Sequence, residues 1–248
     1  MKAVVLAAGY GTRLRPLTDK TAKPLIDVGG RPIIDHIVDK VQVLSGIDQI
    51  LVVCNQTFHS DFQSWQRART ANIPIRILND GTISNETRRG AMGDVRFALE
   101  EIDDAPELLV VGGDNIFTFD LQHLVDCYRK NGNTIAVRDV ASRDLAKLYG
   151  TVEMTPQGRV TGIVEKPSSP RTTMVSICIY TYGRSIRSRI EEYARVSDSM
   201  DTTGEFASWL CTVEPVYGCE LKGIWFDIGD VKSLEVAREA FSTSGRGN

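Results

Sequence analysis

A short segment near the N-terminus combines glycines with basic side chains, as anion-binding loops do. The segment LAAGYGTRLRPLTDKTAKPL, residues 6–25, places Gly9 and Gly11 one residue apart and Arg13 two residues later. Glycine lets the backbone come close to a ligand and turn its N–H groups toward an anion. The planar guanidinium of Arg13 offers a fork of donors that matches phosphate oxygens. The segment therefore predicts contact with phosphate.

Two further side chains of this segment can donate to the same ligand. Thr12 offers a hydroxyl, and Lys23 lies at the far end of the loop, from which it can return to the site. Donors clustered in this way indicate a polyphosphate. The alternative is a glycine turn with solvated surface charge, and G-x-G-x-R alone does not decide between them. The segment has neither the GxxxxGK[ST] nor the GxGxxG pattern.

Two aspartates follow strand-like segments and are candidates for a metal site. Polyphosphate chemistry normally needs a divalent cation, and hard cations prefer carboxylate oxygens. Asp114 follows a buried strand and two glycines in VVGGDNIF, and Asp227 ends a strand in IWFDIGDVKSL. Asp230 is better placed to cap the next helix, which leaves Asp227 available. A capping or turn role is the alternative for Asp114.

These side chains require a scaffold whose strands end at a common edge. Residues 2–8 form a continuous apolar run, typical of a strand that is covered on both faces. Residues 31–44 carry a helical apolar stripe, and residues 49–54 read as a second buried strand. In open α/β sheets, ligands bind beyond the carboxyl ends of the strands, where the loop after the first strand lies.

The remaining segments continue this alternation and then change character near residue 133. The predicted elements up to that point are strands 73–78 and 107–111 and helices 94–102 and 121–128. Those beyond it are strands 134–138, 150–154, 160–164, 174–180, 218–222 and 224–227 and helices 185–196, 205–211 and 231–241. The alternation predicts an α/β fold with a mostly parallel sheet. The turn TPQG, residues 155–158, predicts a hairpin in a more antiparallel second half.

Composition and charge restrict the class of protein. The chain has 248 residues, 42% hydrophobic and 25% charged, and its net charge of −3 implies no general affinity for nucleic acid. None of the five cysteines forms a CxxC pair, so the spacing predicts neither a zinc site nor a disulfide framework. The N-terminus leads directly into a strand, and no apolar run approaches membrane length. We therefore expect reduced thiols, a cytoplasmic location and no membrane partner.

The string LAAGYGTRLRPLT, followed by KPL, closely resembles the signature of the sugar-1-phosphate nucleotidylyltransferases, which make nucleoside-diphosphate sugars. The resemblance extends from Lys2 to about Ala240. It implies a three-layer, Rossmann-like α/β nucleotidyltransferase domain with a mostly parallel mixed sheet and a more antiparallel sugar-binding half. In that family, residues matching Arg13 and Lys23 hold the triphosphate and the leaving pyrophosphate. The implied nucleotide-binding loop residues are Leu6, Ala7, Ala8, Gly9, Gly11 and Thr12.

The same resemblance assigns a metal and an acceptor. Asp114 and Asp227 match the family's Mg2+ ligands. The strings YGTVEM and GRVTGIVEKP look like its paired strands that end in E-K-P. There the lysine contacts the phosphate of the sugar and the glutamate its hydroxyls, which implies Lys166 and Glu165 here, with Gly150 near the sugar. Without the resemblance, the pair Glu165–Lys166 before a proline would be interpreted as exposed surface charge.

The segment between residues 79 and 94 departs from the family pattern. Asn79 and Gly90 match positions that contact the base, but the extra polar residues and the pair Arg88–Arg89 have no counterpart. These arginines either reach a phosphate or an acidic acceptor, or they form a solvated loop face. The base and the sugar therefore stay open.

The resemblance implies one domain over residues 1–241, with a nucleotide-binding half of about 1–132 and a sugar-phosphate half of about 133–241. Residues 242–248 (STSGRGN) are expected to be a disordered tail. The implied partners are an NTP and a sugar-1-phosphate, a homo-oligomer is left open, and no hexapeptide-repeat extension like that of some relatives is seen. Two alternatives are a phosphocholine or phosphonate cytidylyltransferase and a catalytically silent subunit that senses nucleotide sugars.

Overall fold

The computed structural model describes residues 1–102 and 105–242, which form alternating strands and helices. The strands are β1 (Lys2–Leu6), β2 (Gln49–Cys54), β3 (Ile75–Asn79), β4 (Leu108–Gly112), β5 (Asn115–Phe117), β6 (Thr134–Asp139), β7 (Gly150–Met154), β8 (Val160–Glu165), β9 (Met174–Tyr182), β10 (Tyr217–Glu220) and β11 (Trp225–Asp227). The helices are α1 (Ile33–Val41), α2 (His59–Ala68), α3 (Ala91–Glu100), α4 (Gln122–Asn131), α5 (Arg143–Ala146), α6 (Ile186–Val196), α7 (Thr203–Val213) and α8 (Val231–Ser242).

This alternation confirms the α/β class predicted from the sequence. Strands β1, β2, β4 and β7 lie within one or two residues of the predicted bounds. Of these, β1, β2 and β4 are short apolar runs that are largely buried. Ser242, the first residue of the predicted tail, belongs to α8. The rest of that tail, residues 243–248, lies outside the described residues.

Three elements have no counterpart in the sequence prediction, namely α2, α5 and β5. Helix α2 carries a weak apolar stripe, since Phe62 is its one fully buried residue. Helix α5 has four residues and β5 has three, too few for a periodic pattern to be seen.

The chain forms two compact units that interleave along the sequence. The N-terminal unit consists of Ala3–Arg88, Val111–Phe119 and the described residues from Gly223 onward. The central unit consists of Met1–Lys2, the described residues of Arg89–Val110, and Asp120–Lys222. Strand β4 contains residues of both sets.

The N-terminal unit has strands in the order β4-β1-β2-β3, of which β2 and β3 are parallel. A separate antiparallel pair is made by β5 and β11. The apolar stripe of α1 is buried as predicted, through Ile33, Ile34, Ile37, Val38 and Val41. The residues of this stripe pack in the core of the unit together with the fully buried centre of β1, from which the loop departs.

The central unit has strands in the order β10-β6-β9-β4, with β7 and β8 as a branch. The pairs β6–β9, β7–β8 and β7–β9 are antiparallel, and β10–β6 is parallel. Gly158 N–H donates to Thr155 C=O at 2.9 Å and closes the predicted β7–β8 turn. The more antiparallel second half expected from the sequence is therefore confirmed. Across residues 1–102 and 105–242, every helix is too short or too polar to span a bilayer.

Candidate active site

The glycine-arginine loop of the N-terminal unit begins where β1 meets its neighbouring strands. Leu6 C=O accepts a hydrogen bond from Gly113 N–H at 2.9 Å, and Ala7 N–H donates to Val53 C=O at 2.8 Å. A Cβ atom on Gly113 would lie 2.5 Å from the Leu6 oxygen, so glycine is required for this approach. These contacts fix the point from which the loop departs.

Asn55 supports the same loop and was not predicted from the sequence. It is 1% exposed, and its Nδ2 donates to Ala8 C=O at 2.9 Å. Its Oδ1 accepts from Phe58 N–H at 3.1 Å, which caps the following turn. The two backbone groups that this side chain satisfies lie 47 and 3 residues away in the sequence. The hydrogen bond to Ala8 is therefore seen only in the tertiary structure.

Gly11 provides the turn that the sequence predicts. Its φ of 57° lies in the left-handed region, and a Cβ atom there would lie 2.8 Å from Thr18 Cγ2. The Thr18 hydroxyl donates to Gly11 C=O at 2.8 Å. Around Gly9, by contrast, an added Cβ would meet nothing within 4 Å, so this part of the loop is open.

Thr12 and Arg13 lie on a short 3-10 turn, Thr12–Leu14, and both are exposed. Leu14 is fully buried, and its N–H donates to Gly11 C=O at 2.8 Å. The leucine anchors the turn in the core. The turn can therefore present the hydroxyl and the guanidinium outward.

Lys23 and Asp114 form an ion pair in the N-terminal unit. Lys23 Nζ lies 2.7 Å from Asp114 Oδ2, with the side chains 14% and 30% exposed. This partial burial limits screening by salt, and the short distance is typical of a charge-assisted hydrogen bond. Although 91 residues separate them in sequence, the two side chains are adjacent.

Asp227 is brought to the same region by the β5–β11 pair. It lies opposite Asn115 in the ladder, and Ile228 N–H donates to Asp114 C=O at 2.9 Å. A Cβ atom on Gly229 would lie 3.7 Å from Asp227 Oδ2 and 3.7 Å from a terminal nitrogen of Arg13. The N-terminal unit thus gathers two carboxylates, a lysine and an arginine at the ends of β1, β4 and β11.

Asp230 caps α8, as the sequence predicts. Its Oδ1 accepts from Ser233 N–H at 2.8 Å. This backbone hydrogen bond is the main reason why the pKa of the Asp230 carboxyl is lowered. The capping role distinguishes Asp230 from Asp227, three residues earlier.

The residues implied for the acceptor lie together in the central unit. Gly150 of β7 is paired with Glu165 of β8, and a Cβ atom on Gly150 would lie 2.7 Å from Glu165 Oε1. A Cβ atom on Gly204, in the first turn of α7, would overlap the same oxygen. Two glycines therefore make room for this carboxylate, and Gly204 was not predicted because only the packing of α7 against β8 identifies it.

Lys166 follows Glu165 and has an uncommon backbone conformation. Its φ is 42°, and its N–H donates to Tyr149 C=O at 3.1 Å. A non-glycine residue in this region is disfavoured, and such residues are concentrated at functional sites. The exposed Lys166 side chain follows the strand end directly.

Glu165 has an environment that disfavours its charged form. Burial raises the pKa of its carboxyl, the neighbouring carboxylate of Glu205 raises it further, and Lys166 opposes both. The carboxyl lines an open cleft of about 480 Å³. The other lining residues are Ile163, Val164, Gly204, Glu205, Ser208, Trp209 and Thr212.

Asn79 and Gly90, the two residues matched to base contacts, each have close neighbours within their own unit. Asn79 ends β3, where its Nδ2 donates to Gln56 Oε1 at 2.6 Å and its Oδ1 accepts from Gly81 N–H at 2.9 Å. In the central unit, Gly90 has φ 79°, and a Cβ atom there would lie 2.5 Å from Met200 C=O. Gly90 thus has a packing reason to be glycine, and its base contact stays a prediction.

The two arginines of the unusual segment differ in their surroundings. Arg88 donates to Asn85 C=O at 3.0 Å within its own loop. Arg89 lies over the ring of Phe97, with its guanidinium carbon 4.7 Å from the ring centroid, a cation–π distance. Arg88 thus contacts its own loop and Arg89 contacts α3, and the contact of either side chain with a substrate stays a prediction.

Residues 2–244 match the sequence profile of the nucleotidyl transferase family. The chain belongs to this family. That confirms the resemblance carried by the N-terminal signature.

Curated relatives of this nucleotidyl transferase cover most of the chain. It is 30% identical to the bifunctional protein GlmU of Methanocaldococcus jannaschii, over 92% of this chain and 51% of the relative. It is 29% identical to mannose-1-phosphate guanylyltransferase 1 of Arabidopsis thaliana, over 92% of this chain and 61% of the relative. The chain thus spans about half to three fifths of the length of these relatives.

Solved structures share the fold over nearly the whole chain. A Bacillus anthracis protein assigned as a glucose-1-phosphate thymidylyltransferase, in complex with a sucrose, has a TM-score of 0.84 at 23% identity and covers 100% of this chain and 98% of its own. An apo UDP-glucose pyrophosphorylase has a TM-score of 0.82 at 17% identity, with 98% of both chains covered.

Proposed function

We propose that this nucleotidyl transferase joins the nucleoside monophosphate of an NTP to a sugar-1-phosphate, forming an NDP-sugar and releasing pyrophosphate. The observation that carries the proposal is the group at the end of β1, in which Lys23 contacts Asp114 and both Arg13 and Asp227 lie next to Gly229. Cations that can hold phosphates stand there next to carboxylates that can hold a metal. The names of the relatives, which act on mannose-1-phosphate or are assigned to glucose-1-phosphate, support a sugar-1-phosphate as acceptor.

The proposed reaction is a single in-line displacement. A phosphate oxygen of the acceptor attacks the α-phosphorus of the NTP, a new P–O bond forms, and the bond to the β-phosphate breaks. The acceptor phosphate is already anionic at neutral pH, so neither a general base nor a protein nucleophile is required. Catalysis rests on positioning and on the stabilisation of charge that develops on pyrophosphate.

Arg13 and Lys23 are proposed to hold the triphosphate and the leaving pyrophosphate. Both extend from the same loop, whose main chain from Leu6 to Thr12 is proposed to follow the nucleotide. Gly9 leaves the space that close approach requires, and Gly11 sets the turn. Asn79 and Gly90 are proposed to contact the base.

Asp114 and Asp227 are proposed to hold Mg2+. The residues fit this ion, because two carboxylates of the N-terminal unit supply hard oxygen donors at neighbouring strand ends. When bound, Mg2+ would polarise phosphate oxygens and offset their charge. Lys23 holds the counter-charge of Asp114 in the structure, and its ammonium can turn to a phosphate oxygen instead.

Glu165, Lys166 and Gly150 are proposed to bind the acceptor. The Glu165 carboxylate can accept hydrogen bonds from sugar hydroxyls, and the Lys166 ammonium can pair with the acceptor phosphate. Gly150 leaves room for the carboxylate and for a sugar beside it.

The lining of the cleft around Glu165 also suits a second class of acceptor. The cleft that holds Glu165 is also lined by Glu205 and Trp209. An aromatic ring with two carboxylates is the kind of lining that binds a quaternary ammonium group. Phosphocholine is therefore the second candidate acceptor, which would make the enzyme a cytidylyltransferase.

The decisive experiment measures pyrophosphate release with Mg2+ from the five common NTPs, each against a panel of hexose-1-phosphates, phosphocholine and aminoethylphosphonate. Release that requires one NTP and one sugar-1-phosphate is expected and would name both substrates. Release with phosphocholine or the phosphonate alone would replace the sugar by the second candidate. Binding of an NTP or NDP-sugar without release across the panel would favour a sensing subunit.

The partners and location follow from the same proposal. We infer that the chain works without nucleic acid, since its net charge is −3. Unbridged cysteines support a cytoplasmic location, which cell fractionation can test. Light scattering of the purified protein would test whether it forms a homo-oligomer.

A further inference from the structure

Three side chains with metal-binding atoms meet in the central unit, and none of them has a role in the proposed reaction. His123 and Cys127 belong to α4, and Cys219 belongs to β10. Their ligating atoms all lie within 4.8 Å of one another. We propose that His123, Cys127 and Cys219 form a binding site for Zn2+ that joins α4 to β10.

The helix supplies two of the three ligands from one face. His123 and Cys127 are four residues apart, so their side chains are neighbours on the helix surface, and His123 Nε2 lies 3.9 Å from Cys127 Sγ. This spacing places the imidazole and the first sulfur on neighbouring turns of one face of α4.

The third ligand comes from a distant part of the sequence. Cys219 lies opposite Ala136 in the parallel β10–β6 pair, and its Sγ is 2.7 Å from Cys127 Sγ. Its thiol also points at His123 C=O, at 3.9 Å. Because 92 residues separate the two cysteines, a search for CxxC spacing does not find the site.

Exposure within the cluster favours an ion that enters from solvent. Cys219 is 3% exposed and forms the floor, Cys127 is half-buried, and His123 is exposed. The imidazole side is therefore open. An ion can enter there, and water can complete a fourth coordination position.

The donor set selects Zn2+ over Mg2+. Two sulfurs and an imidazole suit a borderline-soft ion with tetrahedral geometry, whereas Mg2+ prefers oxygen. With Zn–S bonds of about 2.3 Å, a tetrahedral ion sets its sulfurs about 3.8 Å apart. The two sulfurs, now 2.7 Å apart, would have to separate by about 1 Å. The site thus differs in chemistry from the carboxylate pair Asp114 and Asp227.

The test uses Co2+ as a spectroscopic probe for Zn2+ on the full chain. The protein is reduced with a phosphine, freed of metal on a chelating resin and titrated with Co2+. A thiolate-to-cobalt charge-transfer band with strong tetrahedral d–d bands is expected, saturating at one equivalent and disappearing when Zn2+ is added. Co2+ bound by carboxylate oxygens gives no charge-transfer band, so the proposed Mg2+ site cannot imitate this result.

Variants assign the bands to the cluster. Cys127→Ser is expected to weaken Zn2+ binding by about 100-fold or more, which exceeds the usual effect of losing an outer-shell partner. With Cys219 as the one remaining thiolate, the charge-transfer band at saturation should fall to about half of its wild-type intensity or less. His123→Gln, a second variant at an exposed position, is expected to weaken binding and to shift the d–d bands while the charge-transfer band persists. Cys211→Ser is the matched control, because Cys211 is also a free, half-buried cysteine but lies on α7.

Thermal unfolding gives an independent measurement. Zn2+ that binds the folded chain should raise the Tm of the wild type and of Cys211→Ser, and should leave Cys127→Ser unchanged. A charge-transfer band of wild-type intensity and affinity in Cys127→Ser would overturn the proposal. So would a chain that gives no band after reduction and whose mass in air is lower by two hydrogens, since the cysteines would then form a disulfide and not a zinc site.

Discussion

At the scale of single residues, the pair Lys23 and Asp114 concentrates the proposed chemistry. The lysine ammonium is the present partner of a carboxylate that is proposed to hold a metal. Loss of either charge should leave the core intact, because both side chains are partly exposed. The pair therefore allows catalysis to be separated from folding.

We expect Lys23→Ala and Asp114→Asn each to lower kcat by at least about 10²- to 10³-fold, the cost of removing one group that stabilises developing charge. The cause is weaker stabilisation of the leaving pyrophosphate in the first variant and a lost metal carboxylate in the second. Steady-state pyrophosphate release and urea unfolding would be measured together.

Lys20→Ala is the matched control for this prediction, because Lys20 is an exposed lysine of the same loop. Its turnover should equal that of the wild type. Turnover close to the wild type in Lys23→Ala or Asp114→Asn would remove that residue from the proposed machinery. A large loss of stability would instead indicate a structural role.

Glu165 is expected to affect binding and stability in opposite directions. Its pKa is raised above 4.5, chiefly by burial, so the folded chain holds this proton more tightly than the unfolded chain. The free energy of unfolding then falls as the pH rises from the unfolded pKa through the folded one. Glu165→Gln should raise the Tm at neutral pH and should leave it unchanged below pH 4.5.

The same variant should bind the acceptor less well. A hydrogen bond to a charged group contributes about 1.5–3 kcal/mol, which corresponds to a KM for the sugar-1-phosphate higher by about 10- to 100-fold. The KM for the NTP should not change. A lower Tm at neutral pH, or an unchanged KM for every acceptor in the panel, would argue against the assignment.

At the scale of elements, the packing of α7 against β8 determines where the Glu165 carboxylate lies. Ser208 Oγ donates to Ile163 C=O at 3.1 Å and holds the helix to the strand. Thr202 caps the helix by accepting from Glu205 N–H at 3.1 Å. Gly204 lies between these two contacts, and its missing side chain is the space that the carboxylate occupies.

Gly204→Ala should therefore displace the Glu165 carboxylate without unfolding the chain. Alanine is favoured over glycine in a helix by up to about 1 kcal/mol, so the backbone tolerates the change. We expect the KM for the acceptor to rise by about 10-fold or more, the effect of losing one charged hydrogen bond, with the KM for the NTP unchanged. Kinetics with each substrate varied in turn would measure both values.

Gly162→Ala is the control, because Gly162 is also in β8 and an added Cβ there meets nothing within 4 Å. It should behave as the wild type. Equal acceptor kinetics in the two variants would show that Gly204 does not position the carboxylate.

The same elements mark the limit of what the sequence can predict. The buried runs of β1 and β2 and the stripe of α1 are local patterns, and they are found within two or three residues. The glycine-arginine loop and the aspartates Asp114 and Asp227 could be singled out from the sequence because the family motifs are contiguous, and their roles stay predictions. Asn55 and Gly204 are not found, since their roles depend on atoms 47 and 39 residues away.

At the scale of the whole molecule, the chain order does not match the division into units. The N-terminal unit takes residues from the start, the middle and the end of the sequence, and the central unit takes most of the rest. The residues proposed for the phosphates and the metal all belong to the N-terminal unit, and those proposed for the acceptor belong to the central unit. Each unit has its own buried core. The binding of a ligand to one unit can therefore be measured in the peptides of that unit.

Hydrogen–deuterium exchange with each ligand alone should show this division. An NTP with Mg2+ should slow exchange in peptides that contain residues 6–25, 111–119 and 224–230, because phosphate contacts hold the loop and the strand ends that are proposed to bind it. The acceptor should instead slow exchange in peptides around Gly150, Glu165 and Gly204. Asp114→Asn is the control for the first pattern and Glu165→Gln for the second. If the acceptor protected residues 6–25 and left the peptides of β7 and β8 unchanged, the proposed acceptor site would be wrong, even for an enzyme that releases pyrophosphate.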